Sequence, residues 1–101
     1  YPDSMARAAE LINEYADVDF VDVNMGCPID LVCNMGAGSK LLEQPRRMGN
    51  ILKAMGPLLD CALTFKVRKG FYDKAPVAHT WLQHAKEWGA AAVTLHGRSR
   101  E

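Results

Sequence analysis

The stretch 21–42, VDVNMGCPIDLVCNMGAGSKLL, decides the fold of this chain. A short run rich in β-branched residues ends at Asn24, breaks at Gly26-Cys27-Pro28, and leads into a glycine-rich loop. Because β-branched residues favour strands, and glycine and proline interrupt them, the pattern predicts a strand that delivers Cys27 to the start of a long loop. Loops at the carboxyl ends of parallel strands carry much of the chemistry of α/β proteins. Cys27 is therefore the first candidate functional residue.

Helix-like and strand-like patterns alternate along the chain, with apolar residues recurring either at helical spacing or at every second position. The predicted elements are helices over residues 3–17, 45–55 and 76–88, strands over residues 20–24, 63–68 and 91–96, and a polar connection over residues 69–74. Strands separated by single helices favour right-handed crossovers and a parallel sheet. We therefore predict an α/β fold.

Each predicted strand has one apolar face and one face that becomes polar toward its carboxyl end. The apolar positions are Val21, Val23, Leu63, Phe65, Val67, Val93 and Leu95, and the polar positions are Asp22, Asn24, Thr64, Lys66, Arg68, Thr94 and His96. A buried parallel sheet is usually apolar on both faces. Polar groups at one end of three successive strands therefore predict a ligand pocket. The alternative is that these residues are strand ends exposed to solvent.

Composition and charge narrow the class of protein. The chain has 101 residues, 49% of them hydrophobic, and a formal net charge of zero, which argues neither for nor against a polyanionic partner. Its three cysteines contain no CxxC pair, so we expect no disulfide framework and no metal site, and a reducing compartment, the cytoplasm or the nucleus. No apolar run approaches the roughly 20 residues of a membrane-spanning helix, so we expect no membrane association.

Four motifs in order resemble the tRNA-dihydrouridine synthase family: NMGCP after the first strand, GAGSKLL in the loop, FKVRKG at the second strand end and TLHGRSR at the third. The resemblance covers the chain from Phe20 onward, and the ending VTLHGRSRE is most similar to the eukaryotic branch that modifies position 47 of tRNA. Family members have an FMN-bearing (β/α)8 barrel followed by a helical domain. The resemblance implies that residues 1–101 are a fragment of this single FMN-binding domain. The fragment would be a partial TIM barrel, about strands four to six with their helices, since a full barrel needs about 250 residues.

Members of this family reduce the 5,6 double bond of uridine in tRNA with hydride from FMN, which NADPH or NADH has reduced, and a proton must reach C5. Cys27 matches the family's general acid. A thiol with a reference pKa of about 8.5 is mostly protonated at neutral pH and can donate that proton. The alternative for Cys27 is the buried, hydrophobic role of most free cysteines, and this role remains the interpretation for Cys33 and Cys61.

The resemblance also implies ligand contacts for three residues at the strand ends. Lys66 and His96 match flavin contacts, where a cation and an imidazole donor would stabilise the anionic reduced ring. The alternatives are a solvated strand-end lysine and a core or turn histidine. Asn24 matches a residue that contacts the target nucleotide, although its side chain could instead cap the turn at Gly26.

Three other cations are candidates for binding. Arg68 and Arg98 are expected either at the flavin or RNA site or on the surface. Lys40 occupies a position where many relatives carry small or apolar residues, and we hypothesise that it contacts an RNA phosphate. By contrast, Arg46 and Arg47, at the start of a predicted helix, are expected to form a solvated face.

Two other functions are compatible with the sequence. A different FMN-dependent barrel, such as a dihydroorotate or old-yellow-type oxidoreductase, would act on a small molecule, but those enzymes lack a GCP motif followed by a glycine-rich loop at this spacing. A fragment without catalysis, with an RNA-binding or structural role, is the other alternative. A flavin absorption spectrum distinguishes these functions.

Overall fold

In a computed structural model, which describes residues 2–27, 36, 38–70 and 78–99, the chain has the predicted α/β fold. Its elements are the helices α1 (Pro2–Tyr15), α2 (Pro45–Met55) and α3 (Ala78–Trp81), the strands β1 (Phe20–Asn24), β2 (Ala62–Gly70) and β3 (Ala92–Ser99), and 3-10 helices at Gly38–Glu43, Gly56–Leu58 and Leu82–His84. No helix within these described ranges is both long and apolar enough to cross a bilayer.

The three strands form one parallel sheet in the order β1-β2-β3, which confirms the predicted parallel arrangement. Asn24 at the end of β1 pairs with Lys66 of β2, and Arg68 of β2 pairs with His96 of β3. Paired residues, and residues two apart in one strand, lie on the same face of a sheet. These four side chains therefore emerge from one face, near the carboxyl ends of the strands.

The opposite face of the sheet contributes to the hydrophobic core. Leu63, Phe65 and Val67 of β2 expose only 3%, 0% and 0% of their surface. The Phe65 ring packs against the rings of Trp81 and Trp88, at centroid distances of 6.1 and 6.5 Å. Buried residues of α2 belong to the same cluster. Close packing of this kind gives the polar face of the sheet a rigid base.

Two glycines are required near the indole of Trp88. Gly49 in α2 lies so close to this ring that an added Cβ would be 2.6 Å from the indole Nε1. Gly89 has a φ of +90°, a conformation that residues with a side chain rarely adopt. Gly89 therefore ends the segment before β3, as predicted.

The prediction of one continuous helix over residues 76–88 is wrong. Of the described residues 78–88, only Ala78–Trp81 is α-helical. A 3-10 helix and turns follow, because the backbone leaves the helical region at Trp81, with φ −130° and ψ −5°. The predicted apolar stripe is nevertheless buried at Trp81, Ala85 and Trp88. The two indole rings stack at a centroid distance of 5.9 Å. These two rings are therefore buried although the segment is not a regular helix.

The strands differ from prediction in two places. β2 continues to Gly70, which pairs with Ser99, so Lys69 belongs to the strand and not to the predicted polar connection. The rest of that connection and the expected helix start fall in residues 71–77, outside the described residues. Leu95, expected on the apolar face, is 50% exposed. In the described part of the chain, the main contacts between helices and strands are made to β2, by Gly38–Glu43 and α3, and not to β3.

Candidate functional site

A pocket opens at the carboxyl ends of the three strands, where the polar strand faces predicted a ligand site. Its volume is about 210 Å³, and it is lined by Asn24, Gly26, Cys27, Lys66, Val67, Arg68 and His96. The predicted site depends on Cys27, Lys66 and His96, and these three side chains therefore border one common space. Cys27 follows β1, Lys66 belongs to β2 and His96 belongs to β3.

Hydrogen bonds hold the chain after β1 and place Cys27 at the pocket. The Met25 N–H donates to the Lys66 carbonyl at 2.9 Å, which continues the pairing of β1 with β2. The Gly26 N–H donates to Oδ1 of Asn24, also at 2.9 Å, so Asn24 does cap the turn. Cys27 is half-buried where it borders the pocket, which differs from the deep burial of a core cysteine.

Arg68 connects the ends of all three strands. Its Nε–H donates to the Gly26 carbonyl at 2.7 Å, and its Nη1 donates to the Ser99 carbonyl at 3.1 Å. Gly26 follows β1, whereas Ser99 is the last residue of β3. Arg68 itself is half-buried, and Ser99 is buried. The side chain of Arg68 therefore binds main-chain groups on both sides of its own strand.

His96 lies in a positive environment. Desolvation by the surrounding protein lowers the pKa of His96 below its ordinary value of 6.5, and the positive charges of Arg68, Lys66 and Arg98 lower it further. His96 is therefore mostly neutral at pH 7, with one ring nitrogen as an N–H donor and the other as an acceptor. Together with the exposed ammonium of Lys66, the pocket suits an anionic or electron-rich ligand.

Comparison with known proteins supports the family resemblance that the four sequence motifs indicated. The sequence profile described as "Dihydrouridine synthase (Dus)" matches residues 1–101, the whole chain. The chain belongs to the dihydrouridine synthase family.

Curated relatives of this chain share about half of its residues. Proteins from Xenopus laevis and Homo sapiens, both named tRNA-dihydrouridine(47) synthase NAD(P)(+)-like, are 48% and 46% identical to it over 101 residues. A Cryptococcus neoformans protein named tRNA-dihydrouridine(47) synthase NAD(P)(+) is 50% identical over 107 residues. Each match covers 100% of this chain and 15% or 16% of the relative. The chain thus spans a small part of the length of these relatives.

The structure does not place two of the candidate binding residues, Arg98 and Lys40, at the pocket. Arg98 is exposed on β3 and does not line the pocket in the part of the chain that the structure describes. Arg98 nevertheless acts on the pocket through its charge, since it helps to lower the pKa of His96. The backbone of Lys40 lies in the 3-10 helix Gly38–Glu43, and its side chain lies outside the described residues.

The two arginines at the start of α2 have different environments. Arg46 is exposed, as expected. The expectation of a solvated Arg47 is wrong, because Arg47 is half-buried and lines a second cavity of about 120 Å³ together with Asn24. A Cβ added at Gly36 would lie 2.8 Å from Nη1 of Arg47. Arg47 therefore faces the glycine-rich stretch that precedes α2.

Several features of the pocket were not predicted from the sequence. Gly26 and Val67 line the pocket, and the Ser99 carbonyl accepts a hydrogen bond from Arg68. The GCP motif indicated Gly26 only as a bend, and a main-chain acceptor such as that of Ser99 has no residue-type pattern. Among the residues that the structure describes, no cluster of three or more His, Cys, Asp or Glu could hold a metal ion.

Proposed function

We propose that this chain forms part of the catalytic barrel of an FMN-dependent tRNA-dihydrouridine synthase. The reaction would reduce the 5,6 double bond of uridine in tRNA, with NADPH or NADH as the reductant. The observation that carries this proposal is the convergence of Cys27, Lys66 and His96, from three successive parallel strands, on one pocket. Family membership supports it, as do the names of the relatives, which mention tRNA and NAD(P). In this proposal residues 1–101 form about strands four to six of a single TIM barrel.

Lys66 and His96 fit the electron-rich edge of a reduced flavin. Lys66 presents an exposed ammonium on the polar face of β2, and His96 presents a neutral imidazole from the adjacent strand. Fixed donors and cations of this kind stabilise negative charge on a bound ring. Reduced FMN, when bound, supplies the hydride that reaches C6 of uracil. We assign to Lys66 and His96 the role of holding the flavin.

Cys27 supplies the proton in this proposal. Saturation of the double bond requires a hydride at C6 and a proton at C5, so the S–H bond of Cys27 breaks, its electron pair stays on sulfur, and a C5–H bond forms. The resulting thiolate then takes a proton from water. Half-burial at the pocket suits both steps, because the sulfur can reach a bound base while solvent can still reach the sulfur.

The proposed substrate is tRNA, and the names of the relatives point to uridine 47. The target base must leave its stack to enter a pocket of this kind. The Oδ1 of Asn24 caps the turn, so its side-chain NH2 group is the part of Asn24 proposed to contact the uracil edge. Arg98 and Lys40 are proposed to contact RNA phosphates. Arg68 lines the same pocket and was a candidate for flavin or RNA binding. A tRNA substrate would place the protein inside the cell, in the cytoplasm or the nucleus.

The test uses the full-length protein that contains these residues. The purified protein should show flavin absorption bands, and an unmodified tRNA transcript incubated with it and NADPH should gain dihydrouridine, mapped by primer extension. A chain limited to residues 1–101 should show no flavin bands. Flavin bands with NADPH-dependent reduction of a small molecule, and no change in tRNA, would instead favour a different FMN-dependent barrel. RNA binding without flavin or product would favour the role without catalysis.

A further inference from the structure

Hydrogen bonds hold the two peptide groups that precede Cys27, one through the Gly26 N–H and one through the Gly26 carbonyl. The Gly26 N–H donates to Oδ1 of Asn24 at 2.9 Å, and the Gly26 carbonyl accepts the Nε–H of Arg68 at 2.7 Å. The Gly26 carbonyl and the Cys27 nitrogen belong to the same peptide group, which is planar. A hydrogen bond to this carbonyl therefore restrains the main chain of Cys27 directly.

The second hydrogen bond of Arg68 reaches the far strand. Its Nη1 donates to the carbonyl of Ser99 at 3.1 Å, and Ser99 is 5% exposed. The regular pairing of β2 with β3 is interrupted between Arg68 and Gly70, so the guanidinium joins the strands where their ladder is irregular. Hydrogen bonds from a charged donor are stronger than neutral ones, and a planar guanidinium presents several N–H groups in fixed directions.

We infer that Arg68 is a positioning residue whose guanidinium fixes the Cys27 main chain relative to the strand that carries His96. This inference rests on the proposed function and assigns Arg68 a role other than flavin or RNA binding. The side chain uses its N–H groups on two main-chain carbonyls that flank the pocket. The proton donor and the flavin-holding imidazole are thereby kept in register across three strands.

The decisive variant is Arg68→Lys in the full-length protein, because lysine keeps the positive charge and loses the planar fork. The first measurement is alkylation of Cys27 by iodoacetamide without tRNA, quantified by tandem mass spectrometry. Release of the Gly26 carbonyl should accelerate alkylation of Cys27 at least threefold. Cys61, a half-buried cysteine before β2, is the internal reference and should keep its rate. Arg46→Lys, the same change at an exposed arginine of α2, should alter neither rate.

The second measurement is dihydrouridine formation in a single turnover at saturating tRNA. Arg68→Lys should slow it about tenfold, or about 1.4 kcal/mol in activation free energy. The Kd for tRNA, its salt dependence and the Kd for FMN should stay within twofold of the parent values. In Arg68→Gln, which removes the positive charge, a salt slope reduced by about one would show that Arg68 contacts an RNA phosphate. A weakened FMN affinity would show a flavin contact. Either result overturns the inference.

The alkylation rates of the two cysteines distinguish a specific effect at Cys27 from a general loosening of the fold. Equal acceleration of alkylation at Cys27 and Cys61 would mean that Arg68 is merely structural, and no acceleration at Cys27 would mean that it does not restrain the cysteine. Arg68→Gln, which is uncharged and lacks the guanidinium fork, should give the same selective effect at Cys27 and serves if the lysine variant does not fold. A parent protein that forms no dihydrouridine would reject the proposed function, while the alkylation contrast would still decide whether Arg68 restrains Cys27.

Discussion

The two ends of the sheet carry cavities that differ in size and in chemistry. The cavity at the carboxyl ends measures about 210 Å³ and is lined by Cys27, which follows β1, and by Lys66 of β2. The cavity beside the starts of β2 and β3 is larger, about 390 Å³, and also contains a cysteine and a lysine, Cys61 and Lys53. Lys53, however, belongs to α2, and Cys61 lies in the turn before β2. The direction of the parallel strands, rather than cavity volume, therefore marks the candidate site.

The largest expected difference between the two ends of the sheet is in the rate of dihydrouridine formation. Cys27→Ala in the full-length protein should lower the rate of dihydrouridine formation at least about 100-fold, because general acid catalysis contributes typically 10²–10⁴-fold. Reduction of the bound flavin by NADPH should continue, since that step does not need the proton from Cys27. Single-turnover assays of the two half-reactions measure this separation.

The matched control is Cys61→Ala at the other end of the sheet, which should leave dihydrouridine formation within threefold of the parent rate. Retained product in the Cys27 variant would reject the proton-donor role. A comparable loss in both cysteine variants would remove the distinction between the two ends.

A smaller effect is expected for the two lysines. Lys66→Gln should weaken FMN binding about tenfold, because it removes the cation proposed to stabilise the ring, and hydrogen bonds to charged groups contribute about 1.5–3 kcal/mol. Lys53→Gln should leave FMN affinity unchanged. Flavin fluorescence during titration of the apoprotein measures both values. Equal losses for the two variants would contradict the assignment of Lys66.

At the end of the sheet with the larger cavity, we expect a substitution to lower the stability of the fold and not catalysis or FMN binding. Gly49→Ala would place a Cβ 2.6 Å from Nε1 of Trp88, and overpacking of a core costs about 1–3 kcal/mol, of which about 1 kcal/mol is offset by the better helix propensity of alanine. We expect a net loss of about 1 kcal/mol. Thermal unfolding followed by tryptophan fluorescence measures the resulting fall in Tm.

The control for this stability effect is Gly97→Ala in β3, where an added Cβ meets no described residue within 4 Å. This variant should change the free energy of unfolding by less than about 0.5 kcal/mol. An unchanged Tm for Gly49→Ala would mean that α2 can move away from the indole without cost.

The smallest expected change concerns His96. Arg98→Gln removes one of the positive charges that lower the pKa of His96, so this pKa should rise toward 6.5, whereas Arg46→Gln should not move it. Hydrogen–deuterium exchange at the imidazole Cε1, read by mass spectrometry, gives the pKa in the full-length protein. The folded protein binds this proton less readily than the unfolded chain does. The contribution of His96 to stability is therefore complete above pH 6.5 and is lost as the pH falls below it. A pKa that falls in Arg98→Gln would contradict this electrostatic account.

Alternation of residue types predicted much of the site. Burial of Phe65 and exposure of Lys66 follow directly from the two-residue period of a strand, which holds wherever one face meets a core. The segment that contains Trp81 departed from prediction because ring packing there does not require a regular helix. The sequence did not reveal the half-burial of Arg47 or the hydrogen bonds of Arg68. The environment of Arg68 is set by two main-chain carbonyls distant in sequence, and that of Arg47 by a cavity lined by several separate segments. Composition and spacing reveal neither.

The parallel order of the strands has a consequence for biosynthesis. A chain made from its amino terminus releases β1 and β2 from the ribosome before β3, so Cys27 and Lys66 can become neighbours first. At about 5–20 residues per second, β3 follows within a few seconds. Arg68 then acquires its second acceptor, the Ser99 carbonyl, only when the last residue of β3 arrives. The order of synthesis therefore allows the thiol and the ammonium to meet before the imidazole is made.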